Sequence, residues 1–186
     1  MNELVSVPNR WLEPIKVVLP RETFEFACLV RIRRQSDAVY AEPQREHCNG
    51  GTILDGVYNN ILGAPGEAAV AMHLNVFWDG NPQRFKAPDV GKYQVRTNGK
   101  EWGDLILRRN DKDKPEDLFV LVIATYMPEF WLMGWLRGEE GMRPEYWRSG
   151  SPRRPGEAMA WYVPQTKLHP MCDLYEYHHQ GVGHCP

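Results

Sequence analysis

Four polar residues within residues 64–97 could together bind one divalent cation. They are Glu67, which begins an apolar segment with helical spacing, Asp89, which follows a proline, and the polar pair Gln94 and Arg96. Carboxylate and amide oxygens are hard ligands that suit Mg²⁺. A neighbouring arginine can stabilise charge on a transferring phosphoryl group. These residue types therefore indicate phosphoryl-transfer chemistry, provided that the fold brings them together.

A helix is predicted to carry Glu67. Pro65 and Glu67 suit the first turn of a helix, where proline and acidic residues are favoured. The apolar residues that follow in helical register with the acid are Val70, Ala71, Leu74 and Phe77. We therefore expect a helix that buries one face and carries one acid.

A turn and a strand are predicted to carry the other three residues. The turn lies at residues 87–91, which include a proline and a glycine, and it contains Asp89. Residues 93–97 alternate as in a strand. Gln94 and Arg96 share one face of that strand, because side chains two residues apart point the same way.

At these residues the chain resembles the PD-(D/E)XK nuclease superfamily. In that superfamily a proline and an aspartate, then a downstream acid two residues before a lysine, form a metal site, often with a helical glutamate. Pro88-Asp89 and Gln94-Val95-Arg96 follow that layout, with Glu67 as the helical acid. The short interval between the two motifs is most similar to the compact version seen in methyl-directed mismatch-repair nicking enzymes.

The chain also resembles a small phage-type group of this superfamily. Four segments carry the resemblance, and together they span about half of the chain: Gly66 to Ala71, Asp89 to Gly91, Val95 to Thr97 and Val163 to Gln165. Membership implies a restriction-endonuclease-like fold and a single nuclease-like domain over residues 1–186. It also implies DNA as the partner, a homodimer for enzymes that cut both strands, and action in the cytoplasm of a host cell.

The resemblance implies a role for each site residue in metal-dependent hydrolysis of phosphodiester bonds in DNA. Glu67 and Asp89 would hold Mg²⁺ or Mn²⁺, and the Gln94 amide and the Val95 carbonyl would complete the protein ligands. Arg96 would contact the scissile phosphate, and a water activated by the ion would be the nucleophile.

Two residues depart from the superfamily pattern. Gln94 stands where a carboxylate is usual, so the site lacks one negative charge. Arg96 stands where lysine is usual, and a guanidinium cannot act as a base because it is effectively never deprotonated. The alternative function is therefore a catalytically inactive nucleic-acid-binding or assembly protein that retains the nuclease fold.

Each of the four residues also has an ordinary structural interpretation. Glu67 would be an acid near a helix N-terminus, and Asp89 a turn residue. Gln94 and Arg96 would lie on the solvated face of an edge strand. Taken together in this order, the four residues favour a shared site.

Arg31, Arg34 and Lys86 are candidate contacts to a nucleic-acid backbone. The first two belong, with Arg33, to the densest basic cluster in the first half of the chain. Basic residues neutralise backbone phosphates. A solvated surface is the alternative, because clusters of charge are common on exposed helices.

Two secondary-structure elements are predicted near the N-terminus: a strand at residues 15–19 and a helix that starts at Arg21. Pro20 and Glu22 are helix start signals. A strand is the rival for this helix, because apolar residues also alternate at Phe24, Phe26, Cys28, Val30 and Ile32. A long loop is predicted over residues 41–60.

The apolar run from Leu118 to Thr125 predicts a central strand buried on both faces. We expect an α/β fold with a mixed central β-sheet flanked by helices near Phe24 and Ala69. The strands of that sheet are expected near Tyr93, Leu105, Leu118, Phe130 and Ala158.

Composition limits the other classes. The 186 residues carry a formal net charge of −2, so any nucleic-acid contact must come from local patches. No apolar run is long enough to span a membrane and the N-terminus resembles no export signal, so we expect no membrane partner and a cytoplasmic location.

Structural Zn²⁺ is not expected. Cys48, Cys172 and Cys185, with neighbouring histidines, supply ligand types for zinc, but their spacing follows no standard zinc pattern. Free thiols are the simplest interpretation.

Overall fold

The structure, a computed structural model, describes residues 13–41, 61–80, 88–109, 113–150 and 159–178. The strands are β1 (Ile15–Val18), β2 (Tyr93–Asn98), β3 (Leu105–Arg108), β4 (Leu118–Tyr126), β5 (Glu129–Arg137), β6 (Trp147–Arg148) and β7 (Ala160–Val163). The helices are α1 (Arg21–Ala41), α2 (Gly63–Leu74), α3 (Gly138–Gly141) and α4 (Met171–His178), and short 3-10 turns lie at Pro144–Tyr146 and Gln165–Lys167.

The strands form two sheets in the described part of the chain. The first is a mixed sheet in the order β1-β5-β4-β2, in which β2 pairs with β4 in parallel and the other neighbours are antiparallel. The second is antiparallel, in the order β3-β7-β6. The expected mixed α/β fold, with a mixed sheet flanked by helices, is confirmed.

Strand β4 lies between two apolar cores. Val120, Val122 and Ala124 join the core that the four-stranded sheet forms with α1 and α2. Phe119 and Ile123 point the other way, into the core shared with the second sheet. The continuous apolar run is explained by this placement, because a strand covered on both faces has no polar face. The prediction of a central strand buried on both faces is confirmed.

The prediction that the strands near Leu105 and Ala158 extend the central sheet is wrong. Leu105 and Leu107 lie on β3, which pairs with β7 in the second sheet and packs against the face of β4 that points away from the helices. The second sheet buries the apolar residues on this face of β4, which would otherwise be exposed to water. At the outer edge of β2, meanwhile, side chains bond the backbone of Val95.

Helix α1 confirms the helix interpretation over the alternating strand. It begins at Arg21, directly after Pro20, and packs on α2, with Ala27 and Val30 buried. The amide of Phe24 donates to the carbonyl of Pro20 at 2.9 Å and closes the first turn. The predicted opening strand is also confirmed, as β1.

Helix α2 is present as predicted, but both of its ends differ from the prediction. It begins at Gly63, so Glu67 lies in the second turn and not in the first. It ends at Leu74 because Asn75 adopts a left-handed conformation and the amide of Val76 bonds back to the carbonyl of Ala71 at 2.9 Å. Phe77 is therefore beyond the helix and 88% exposed, so its predicted place on the buried face is wrong.

Gly66 allows α2 to pack directly on β2. A Cβ atom at this position would overlap the side chain of Thr97, with its hydroxyl oxygen as the nearest atom. Three residues earlier, a Cβ at Gly63 would come no closer than 3.8 Å to the side chain of Arg31. Glycine at position 66, one residue before Glu67, therefore permits this close approach of the helix to the strand.

We expect Gly66→Ala to lower the free energy of unfolding by about 1–3 kcal/mol, because the helix must move away from Thr97. Gly63→Ala is the matched control on the same helix. It should be neutral or slightly stabilising, because its methyl group has room and alanine favours the helix. Urea unfolding of both variants measures the difference. Equal stability of the two variants would contradict the close packing.

No helix in the described ranges has the length and hydrophobicity needed to cross a membrane. The predicted loop over residues 41–60 lies almost wholly outside the described residues. The same applies to Lys86 and to Cys48 and Cys185 of the zinc hypothesis.

Candidate functional site

Glu67 is held in a mostly buried position between α1 and the segment that follows α2. Its Oε1 contacts Arg34 Nη1 at 2.6 Å, and its Oε2 accepts the indole N–H of Trp78 at 3.1 Å. The two charged side chains are largely covered, with 7% of Glu67 and 17% of Arg34 exposed. The carboxylate is therefore fixed by two donors from different parts of the chain.

Asp89 lies at the outer edge of the four-stranded sheet. Its Oδ2 accepts the backbone N–H of Val95 at 2.8 Å. Because β2 is at the edge of the sheet that the described residues form, none of their strands uses this amide. The carboxylate thereby satisfies the sheet edge and is placed beside the strand that carries Arg96.

Arg96 bends over the same edge. Its Nη1 lies 3.5 Å from Asp89 Oδ2 and donates to the carbonyl of Val95 at 3.2 Å. Its Nη2 lies 2.6 Å from Asp113 Oδ1, and the guanidinium carbon lies 5.2 Å from the ring centre of Phe119. Two carboxylates, a carbonyl and an aromatic ring thus fix the orientation of this guanidinium.

Asp113 anchors this arrangement and was missed by the sequence reasoning. Its side chain is only 2% exposed, and its second oxygen accepts the backbone N–H of Arg108 at 2.7 Å. In the sequence it is one of several acids in a charged segment, and no pattern separates it from Asp117. Trp78 was also missed, because in the sequence it is one residue of a turn-forming segment, residues 78–82.

The acids and the arginines interact electrostatically across the site. Burial, and then the nearby charge of Asp89, raise the pKa of Glu67, while Arg34 and Trp78 act in the opposite direction. Burial also raises the pKa of Asp89, against the hydrogen bond from Val95 and the charges of Arg96, Arg34 and Arg31. We call the set Arg31, Arg34, Glu67, Asp89, Arg96 and Asp113 the arginine–carboxylate cluster.

Arg31 belongs to the cluster through charge and burial. Burial lowers the pKa of its guanidinium, the charges of Glu67 and Asp89 raise it, and the like charge of Arg34 lowers it. Arg31 and Arg34 were predicted only as backbone contacts on a basic surface. The structure instead places both of them beside the predicted metal ligands.

Gln94 is placed differently from the two acids. It is half-buried on β2 and paired in register with Phe119, so its side chain points to the face opposite α2. Among the described contacts none joins its amide to Glu67 or Asp89, and its role as a ligand stays a prediction. The carbonyl of Val95, the other predicted ligand, accepts a hydrogen bond from Arg96.

The donor chemistry of the cluster fits Mg²⁺, but its charges are already balanced. Glu67 and Asp89 offer the carboxylate oxygens that Mg²⁺ prefers. Within the described ranges, no three acidic, histidine or cysteine side chains are close enough to hold a metal together. Each of the two acids already contacts an arginine, so a divalent cation must displace at least one of these contacts.

No family model matches the chain, and no curated protein or solved structure is significantly similar to it. The arginine–carboxylate cluster and the order of its residues along the sequence are therefore the features of this chain that indicate a function.

Proposed function

We propose that the protein is a Mg²⁺-dependent deoxyribonuclease with a restriction-endonuclease-like fold, and that the arginine–carboxylate cluster is its active site. One observation supports the proposal above others. A helical acid, an acid after a proline, and a cation on the following strand occur in the superfamily order. The first acid is coupled electrostatically to the second, and the second lies 3.5 Å from the cation.

Glu67 and Asp89 are the residues that would hold the ion, together with the Val95 carbonyl and the Gln94 amide. The ion, when bound, would supply Lewis-acid stabilisation of the charge on the phosphoryl oxygens. The protein itself contributes the fixed positions of these two acids. Glu67 comes from a packed helix and Asp89 from the position directly before the tight turn between Val90 and Tyr93, so both are fixed before any ligand arrives.

Arg96 is the residue proposed to contact the scissile phosphate. Its guanidinium is permanently charged and matches a phosphate with two parallel donors. Asp113 holds one of its nitrogens at 2.6 Å, whereas the contact of the other nitrogen with Asp89 is longer, at 3.5 Å. The longer contact is the one that a phosphate oxygen can replace while Asp113 keeps the side chain in place.

Arg31 and Arg34 are proposed to bind the flanking phosphates of the DNA backbone. Both lie on α1 next to Glu67, so the positive charge is concentrated beside the acids in a chain of nearly neutral net charge. Local charge of this kind gives affinity for nucleic acid without a basic protein overall. Pairing of two copies and a cytoplasmic location stay predictions.

A cleavage assay tests the proposal. The purified chain is incubated with supercoiled, linear and branched DNA in Mg²⁺, in Mn²⁺ and in EDTA. We expect strand scission in the two metal buffers and none in EDTA. Intact DNA in every buffer, with a correctly folded protein, would reject the enzyme.

The second candidate is a nucleic-acid-binding protein without catalysis, and the Arg34–Glu67 contact favours it. At 2.6 Å and largely buried, this ion pair neutralises the helical acid in the absence of any metal. Glutamine at 94 removes a further charge that an active site would use. Binding of DNA without scission in the assay above would support this candidate.

We expect Gln94→Glu to strengthen Mg²⁺ binding by roughly tenfold if this side chain is a ligand, because affinity for hard cations rises with ligand charge. Isothermal titration calorimetry measures the affinity. Thr166→Glu is the matched control, because it adds the same charge at an exposed position after β7. An equal gain in both variants would show a general effect of charge and would exclude Gln94 as a ligand.

A further inference from the structure

The turn that follows β2 is held rigidly in place. The amide of Lys100 donates to Asn98 Oδ1 at 3.0 Å, and the amide of Gly103 donates to the carbonyl of Lys100 at 2.9 Å. Gln165, which follows β7 of the second sheet, donates its side-chain amide to the carbonyls of Glu101 and Gly103 at 2.8 and 3.0 Å. The backbone on both sides of Trp102 is therefore fixed by hydrogen bonds.

Trp102 is 78% exposed on this turn. An indole contributes most to stability when it is buried, and an exposed one on a flexible loop could fold back onto the surface. Here the backbone bonds to Gln165 oppose such a movement. A large aromatic surface presented on a fixed backbone binds a partner at a small cost in conformational entropy.

The turn directly follows the strand that carries Arg96 of the arginine–carboxylate cluster. Asn98, where the turn begins, is two residues after Arg96, which is about 7 Å along a strand. Thr97, between them, contacts Gly66, and Gly66 directly precedes Glu67. The indole is thus presented at the end of the strand that carries Arg96.

We infer that Trp102 is a stacking platform for an unpaired base of the nucleic acid whose phosphates the cluster binds, and that the substrate is single-stranded at this position. The inference rests on the proposed function for the nature of the ligand. Base stacking on tryptophan needs an open base face, and in a duplex these faces cover one another. Single strands, flaps and frayed ends offer such a face, and continuous duplex does not.

Binding measured in EDTA tests the inference without cleavage. The probes are a fluorescein-labelled oligothymidylate and a duplex of the same length, followed by fluorescence anisotropy. We expect the wild-type protein to prefer the single strand. Trp102→Ala should weaken single-strand binding by about 5-fold to 100-fold, and Trp102→Phe should retain most of it because the ring remains.

Tyr40→Ala is the matched control. Tyr40 is 85% exposed, and it lies on α1 seven residues after Arg33, on the side of the helix that carries the exposed Arg33–Asp37 pair. We expect no change in the affinity of this variant for the single strand. The inference is overturned if Trp102→Ala binds like the wild type, if Tyr40→Ala loses as much, or if the wild type prefers duplex.

Cleavage measured on the same variants separates this inference from the proposed function. Binding that depends on Trp102, without scission by the wild type in Mg²⁺, would reject the enzyme and support the stacking role. Scission by the wild type with binding that is unchanged in Trp102→Ala would support the enzyme and reject the stacking role.

Discussion

Replacing Asp89 by asparagine should lower Mg²⁺-dependent DNA cleavage by about a hundredfold to a thousandfold, while the protein stays folded. Asparagine keeps an oxygen that can accept the amide of Val95, so the sheet edge remains bonded. It removes the charge that would hold the cation and that also attracts Arg96. Initial rates on end-labelled DNA at saturating Mg²⁺, with thermal unfolding in parallel, measure both effects.

Asp37→Asn is the matched control for this experiment. Asp37 lies on α1 and pairs with Arg33 at 3.1 Å, four residues earlier on the exposed side of the helix. Its replacement should leave the cleavage rate within a factor of two of the wild-type rate, because exposed ion pairs of this kind contribute little to stability. A normal rate for Asp89→Asn would place the active site elsewhere.

Asp113→Ala should produce the largest loss of stability, about 3 kcal/mol, and lower the melting temperature by roughly 10 °C. The change leaves Arg96 without its closest carboxylate and the amide of Arg108 without its acceptor, at a position closed to water. Chemical denaturation in urea and thermal unfolding by circular dichroism measure the change.

Asp113→Asn and Asp117→Ala provide the comparisons. Asparagine can still accept the amide of Arg108 but cannot form the ion pair. Asp113→Asn should therefore lose less stability than Asp113→Ala and more than Asp117→Ala. Asp117, in the same loop, accepts one amide, from Lys114 at 3.1 Å, at an exposed position, and its removal should cost less than 1 kcal/mol. A similar loss for Asp117→Ala and Asp113→Ala would contradict the anchoring role of Asp113.

Local patterns predicted the elements of the fold better than their arrangement. The helix start signals at Pro20 and Glu22 gave α1 correctly, and the run from Leu118 gave β4. Apolar residues at Leu105 and Leu107 correctly indicated a strand with a buried face. They carry no information on which strand is the neighbour, because pairing depends on residues far apart in sequence.

The same limit applies to the candidate site. Glu67, Asp89 and Arg96 were identified from their types and order. The structure places Arg96 within 3.5 Å of Asp89, and the charge of Asp89 acts on the pKa of Glu67. The partners that hold them were not identified. Arg34 and Asp113 act on residues 33 and 17 positions away. No local pattern records such a contact.

The ion pair between Arg34 and Glu67 has a consequence for the order in which ligands bind. A phosphate that draws Arg34 away leaves the helical acid with uncompensated charge, and a cation that occupies this acid releases Arg34 for the phosphate. By thermodynamic reciprocity each ligand then raises affinity for the other by the same factor. A protein built in this way would take up metal ions weakly in the absence of DNA and would be loaded by its own substrate.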